Sequence, residues 1–418
     1  MTLTTSGDAV VRAEELYEAS RRAITLTVDD LWPGRGAVLG AQVPSLTSYV
    51  CPVTVDGEEL FAKYGWLSTP MASVLRGARG TWDDVLEAQL PYTRSADLLT
   101  RREFQQLEFL RQLGRPRVCE AVDFRAGVLL TRALSGMTVA EEINLRPWDT
   151  GPLLDSVLLS LPELHGEAGA KYIKRAWPIN ERSIVDVFLH QFKGPSAAGF
   201  VADLGRDREL PEHERLVIVD LVANAVRRLI RLTTALRPRQ RVAVYGDLKP
   251  EHVFLSGARM TFISPALQWA AGPEPDVAKL IGRALLLGLC HHELRAEQQI
   301  TQGVASTLDS YFGALPRGER LDQVREVMVL WLMDTAALLA TCLSVPADYP
   351  VTAHQEQVVR HARRIATVLD RVSGLLIGSM TGAGLLDAIF GEFDQTAWNP
   401  LRAGRHSATP TSIEGNDA

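Results

Sequence analysis

An α+β protein of two lobes is what this sequence predicts: a small β-sheet lobe with one inserted helix, then a larger helical lobe, with a cleft between them. Three observations point there. Short β-rich runs separated by turn residues fill the first third of the chain, helical periodicity dominates from Met137 onward, and one small hairpin-like pattern interrupts the helical part. The chain has 418 residues. A single core stops growing at roughly 250 to 300, so two units are expected. With 46% apolar and 22% charged residues, the composition is that of a folded globular chain rather than a disordered one.

Residues 1–34 form an N-terminal helical extension in this scheme, because "DAVVRAEELYEASRRAITLTVDD" places apolar residues at helical spacing. Residues 35–134 make the first lobe. Its strand signals are "GAVLGAQV", "SYVCPVTV" and "ELFAKYGWL", the last two joined by Asp56-Gly57, a strong hairpin signal. The inserted helix follows in "SADLLTRREFQQLEFLRQLG", closed by Gly114 with Pro116 just beyond, and "RVCEAVDF" and "GVLLTRAL" read as two more strands. Residues 135–398 form the helical lobe, in which "RVAVYGD", "HVFLSG" and "RMTFIS" are the strand-like exceptions. Residues 399–418 are polar and lack apolar periodicity, and are expected to be flexible.

Charge and cysteine usage exclude several classes of function. A net charge of −6 argues against a dedicated nucleic-acid binder. Cys51, Cys119, Cys290 and Cys342 lie far apart, without C-x-x-C pairing, and read as buried free thiols. "CHHELRAE" at 290–297 has poor spacing for zinc. The longest apolar stretch, "VLWLMDTAALLATCLSV", is broken by Asp334, and the first residues lack a basic start followed by an apolar block. A cytoplasmic protein with no membrane or nucleic-acid partner is expected.

The chemistry concentrates in "VYGDLKPEHVFLSGARMTFISP", residues 244–265. Gly246 permits a tight turn and Pro250 prevents a continued helix, so the loop presents the carboxylate of Asp247 rigidly. Such a group can orient an attacking hydroxyl and take its proton. Taken alone, an Asp in this setting more often only caps a turn.

The wider stretch changes that balance. "YGDLKPEHVFL" resembles the catalytic loop of protein kinases, H-R-D-L-K-P-E-N, and that of the aminoglycoside and choline phosphotransferases, H-G-D-x-x-x-x-N. "TFISP" stands where that second group carries I-D-P or I-D-W. "EPDVAKLIGR" resembles its D-[LV]-A segment, whose Asp starts the helix that braces the loop. The resemblance implies a bilobal protein-kinase-like fold and an ATP-dependent phosphotransferase. It implies Asp247 as base and Lys249 as a contact of the γ-phosphate. Lys63, in "ELFAKYG", takes the place of the strand lysine that holds the α- and β-phosphates. The chain has six lysines, and one inside an apolar strand is not simple surface charge. Its acidic partner is expected from the inserted helix, where Glu103 is favoured over Glu108. "PSLTSY" at 44–49 is the expected phosphate cover, through its amides and the hydroxyls of Ser45, Thr47 and Ser48. Backbone groups of Arg132 to Leu134 stand where a lobe-connecting hinge pairs with adenine.

Two positions depart from the pattern. The Asn and Asp that bind magnesium in such enzymes are here His252 and Ser264, a poor replacement for hard oxygen ligands. Either a reduced site works with Mg2+ or Mn2+, or catalysis has been lost and the chain is a pseudokinase scaffold that binds a peptide or a partner enzyme. The expected acceptor is a small-molecule hydroxyl or a Ser/Thr of a biosynthetic precursor peptide, with a partner lyase in the second case. The aromatic and basic "KYIKRAWPINERS", residues 171–183, is a candidate acceptor-side loop.

Overall fold

The computed structural model describes residues 11–45, 47–75, 77–176, 179, 182–236, 242–315, 317–346, 349–378 and 382–396. The 399–418 tail and the centre of the 171–183 candidate loop lie outside them. Five antiparallel strands build the first lobe: β1 (Ala37–Leu39), β2 (Ser48–Val55), β3 (Glu58–Gly65), β4 (Ala121–Arg125) and β5 (Val128–Arg132), in the order β1-β2-β3-β5-β4. The β2–β3 turn has positive φ at both central residues, Asp56 (50°) and Gly57 (82°). That pair matches the twist of a two-residue hairpin, which is why the Asp-Gly signal was legible. Its register puts Lys63 on β3 between Val50 of β2 and Leu129 of β5, at the centre of the sheet.

The helix Ala13–Leu31 is part of this lobe's core rather than an extension beside it. It buries Leu16, Ile24 and Val28 against the sheet, at about 1.5–3 kcal/mol per side chain. Trp66 Nε1 also donates to Ser20 Oγ at 2.9 Å. Between β3 and β4 the chain makes three helices where one was expected: Met71–Leu75, Trp82–Tyr92 and Leu99–Leu113. The second is started by a capping box, Thr81 with Asp84, and contains Pro91 near its end, which obscured its periodicity. The third ends at Gly114 in the left-handed conformation, as its sequence indicated.

The second lobe is helical. At its centre lies the helix Glu274–Leu289, in which every residue except Pro275 is buried. It packs on the long helix Arg317–Ser344. The segment Asp322–Ser344 of that helix is long and apolar enough to cross a membrane, and 83% of its apolar window is buried inside the protein. Small strands complete the lobe: β6 (Met137–Thr138), β7 (Val242–Val244), β8 (Val253–Ser256), β9 (Arg259–Phe262) and β10 (Gln268–Ala270). The expected hairpin of "RVAVYGD" with "HVFLSG" does not form. β7 pairs with β10, while β8 pairs with β6 and β9, so the loop carrying Asp247 connects two different sheets.

One segment of the second half of the chain belongs to the first lobe. Val345 and Tyr349 are buried in the core of the N-terminal sheet, and Tyr349 Oη donates to the Ser45 carbonyl at 2.7 Å. Tyr349 thus anchors Ser45, in the expected phosphate-cover segment. All four cysteines are buried and free.

Candidate active site

The loop after β7 is held from beneath by one carboxylate. Asp276 Oδ2 accepts the Tyr245 N–H at 2.7 Å and its Oδ1 accepts the Gly246 N–H at 2.8 Å; His165 Nε2 lies 2.9 Å from Oδ2. Asp276 is fully buried, so these bonds are shielded from competing water. Gly246 is at φ 83°, and a Cβ there would sit 2.1 Å from the Ala266 carbonyl oxygen. Only glycine fits that turn. The loop therefore presents Asp247 from a fixed base.

Asp247 sits between two ammonium groups and an imidazole. Lys279 Nζ is 2.8 Å from Oδ1, Lys249 Nζ is 3.0 Å from Oδ2, and His252 Nδ1 is 3.5 Å from Oδ2 and 3.0 Å from the Asp247 carbonyl. The ladder continues inward. Lys279 lies 3.8 Å from Asp334 Oδ1, and Arg283 Nε donates to Asp334 Oδ2 at 2.9 Å. Burial by itself would raise the pKa of Asp247, yet the Lys249 and Lys279 charges hold it well below the usual carboxylate range. Burial, with the Lys249 charge, pulls His252 down to about 3, so this imidazole is neutral at physiological pH. Burial also lowers Lys249, against the opposing pull of Asp247.

The other wall of the cleft is the sheet. Lys63 Nζ pairs with Glu103 Oε2 at 2.6 Å, and both side chains are largely buried; Glu108 is engaged elsewhere, with Arg111. The helix carrying Glu103 is fixed to the second lobe by Gln106 Oε1, which accepts the Leu267 N–H at 3.0 Å. Backbone bonds from Cys119 to the Phe262 carbonyl and from Phe262 to the Arg117 carbonyl join the lobes alongside. Asp247, Lys249 and His252 lie together on the loop, and Lys63 with its partner Glu103 is within electrostatic range of His252.

The remaining expected residues divide. Ser45 Oγ accepts the Thr47 and Ser48 N–H groups at 3.4 and 3.5 Å, just before and at the start of β2. Thr47 is exposed, whereas Ser48 is buried beside Gly65. In the hinge, the Arg132 N–H is spent on the Glu120 carbonyl and the Ala133 N–H on the Glu59 carbonyl. The Arg132 guanidinium lies exposed against Glu120 and Glu58. Leu134 is left as the residue whose backbone N–H has no such partner among the described residues.

Ser264 and His252 do not assemble into a metal site. Ser264 lies at φ 55° and brings no charge, and the His252 Nδ1 is turned onto the Asp247 backbone. Both Asp247 oxygens face ammonium groups, and Asp334 is committed to Arg283 and Lys279. No cluster of three His, Cys, Asp or Glu side chains suited to a metal occurs among the described residues. This donor set does not fit octahedral magnesium or manganese, which need several hard oxygen ligands free of competing cations.

Lys279, Arg283 and Asp334 were not singled out from the sequence as site residues. A signal was present. Lys279 and Arg283 stand four apart in a helix that is otherwise apolar after Asp276, and Asp334 interrupts the most apolar stretch of the chain. Buried charges of opposite sign on two core helices imply that they meet. With Lys63 and Lys249, Lys279 makes three of the six lysines of the chain that converge here.

No family model and no curated protein matches this chain. Among solved structures it is similar to an ethanolamine kinase from Plasmodium vivax, at 10% identity and TM-score 0.47, covering 85% of this chain and 89% of that one. It is also similar to an amicoumacin kinase in complex with AMP-PNP, Ca2+ and Ami (12%, TM-score 0.47, 85% and 96%). A third is an aminoglycoside phosphotransferase bound to AMP-PNP and hygromycin B (12%, TM-score 0.43, 84% and 99%). These structures are kinases and phosphotransferases of small molecules, too distant for any substrate to be transferred to this chain.

Proposed function

We propose that this chain transfers the terminal phosphoryl group of ATP, or a related nucleoside triphosphate, to the hydroxyl of a small-molecule acceptor. The supporting observations are a strand lysine paired with a helix glutamate, and a carboxylate held on a braced loop whose His252 feels that lysine's charge. The acceptor oxygen attacks the γ-phosphorus and a new O–P bond forms. The bond from that phosphorus to the β,γ-bridging oxygen breaks, and ADP leaves with its electron pair. Asp247 receives the hydroxyl proton. A carboxylate with so low a pKa is a weak base, so its larger contribution is orientation, with the proton leaving late as the attacking oxygen becomes acidic. Lys249 contributes charge at the γ-phosphate and Lys63 at the α- and β-phosphates.

A Ser or Thr of a precursor peptide, later processed by a partner lyase, is the other acceptor class, and mass spectrometry of the product separates the two. A second reading, a scaffold that binds nucleotide without transfer, is favoured by the capping of both Asp247 oxygens by lysines.

Lys63→Met is expected to weaken ATP binding by about 10- to 100-fold, the scale of one or two lost charge-assisted hydrogen bonds. Calorimetry on wild type and variant measures this, with circular dichroism as a check that the fold survives the orphaning of Glu103. Equal affinities would remove the nucleotide from this cleft.

A further inference from the structure

We infer that this site binds its nucleoside triphosphate without a divalent metal ion, with fixed lysine charge standing where other sites use a bound cation. The inference rests on the nucleotide reading of the cleft given above and concerns the form of the ligand. Three features of the charge arrangement carry it.

First, the ladder holds no excess of carboxylate. Lys249, Lys279 and Arg283 meet Asp247 and Asp334 in direct contact, with Glu251 acting on Lys249 and Arg283 at longer range, and Lys63 with Glu103 is neutral as a pair. A site that recruits a divalent ion is built the other way, with carboxylates in excess until the ion arrives. Second, an incoming ion has to displace an ammonium group from Asp247 while lying beside a second one. Like charges at such distances oppose binding strongly inside a largely buried site. Third, the two positions from which oxygen ligands are expected offer an imidazole turned onto the backbone and a hydroxyl. The triphosphate, stripped of its metal, carries the full negative charge that the lysines complement. With magnesium bound, half of that charge is already neutralised and the lysines gain less.

Lys279 is the less obvious member of the pair. It is buried on the central helix and touches the Gly246 carbonyl at 3.3 Å as well as both carboxylates. From that place it cannot reach a ligand directly. It offsets the charge of Asp247 from below, which leaves Lys249 free to answer the phosphates from above. Lys279 is thus a positioning residue, and Lys249 the one that touches the ligand.

The test is calorimetric titration of the full-length wild-type protein with ATP, once in EDTA and once in excess MgCl2, repeated with MnCl2. The expected result is binding in EDTA at least as tight as in either metal. Binding that is tenfold or more tighter with magnesium or manganese overturns the inference and leaves the nucleotide reading standing. Binding in none of the three conditions overturns the nucleotide reading itself, and the inference with it. Lys249→Met, at a partly exposed position, tests the mechanism without disturbing the core: its metal-free affinity is expected to fall by about tenfold or more. An unchanged affinity in that variant assigns the charge complementarity elsewhere and overturns the role given to Lys249.

Discussion

Asp247→Asn is expected to lower phosphoryl transfer by about two to four orders of magnitude, the range for loss of a positioned general base, while the two-lobed fold persists. The amide keeps the volume of the carboxylate, and the Tyr245 and Gly246 bonds to Asp276 that set the loop do not involve it. What changes is charge. Asn cannot accept the acceptor's proton, and it leaves Lys249 and Lys279 without the anion that they flank. A cost in stability follows, with a defined pH dependence. Because the folded protein holds Asp247 well below its ordinary value, the carboxylate stabilises the fold at every pH above the unfolded value near 4. That stabilisation is lost as the pH falls from there through the folded pKa. The stability gap between wild type and variant is therefore expected to be full at neutral pH and to shrink below about pH 4. Urea unfolding at several pH values reads the gap, and mass spectrometry of the acceptor reads the transfer. Equal transfer by the two proteins would take Asp247 out of the mechanism; a wild type that binds nucleotide yet transfers to nothing would favour the scaffold.

Asp276→Ala is the substitution expected to cost the most stability, about 3–5 kcal/mol. Its two oxygens accept consecutive backbone N–H groups in a fully buried place, and each orphaned donor costs about 1–3 kcal/mol. His165 loses its partner as well. Asp276→Asn retains one acceptor oxygen and should fall between the two. Denaturant unfolding decides: an alanine variant within about 1 kcal/mol of wild type would mean that the loop is held by something other than this carboxylate.

The sequence disclosed features whose determinants are local and left out those made by packing. The Asp56-Gly57 hairpin, the Gly114 helix stop and the Gly246 turn follow from the backbone needs of one or two residues, and each is found where expected. Glu103 could be preferred over Glu108 because helical spacing alone selects one face. The partnership of Lys279 with Asp247 depends on a helix crossing under a loop, and that of Asp334 with Arg283 on two helices meeting in register. The isolated charges in apolar helices signal that they meet, but no local pattern says with which partner or at which crossing. The helix Trp82–Tyr92 was missed because only Val85 and Gln89 are buried along it, leaving little apolar periodicity to detect. In the hinge, the Arg132 and Ala133 N–H groups bond to the Glu120 and Glu59 carbonyls, a pairing that only the fold's own hydrogen bonds reveal.

The bond from Tyr349 to Ser45 spans 304 positions of the chain, and this sets an order of events during synthesis. The N-terminal sheet has all five strands once Arg132 has emerged, and an N-terminal unit ordinarily folds at that point, ahead of the rest. Here the sheet's core still lacks Val345 and Tyr349, which follow only after nearly the whole helical lobe has been made. The nascent lobe therefore waits, with apolar surface open, for a contribution from the far end of the chain. A chain stopped before Val345 is expected to show faster proteolysis of the Ala13–Gly65 region than the full chain. Equal protection would show that the sheet closes unaided.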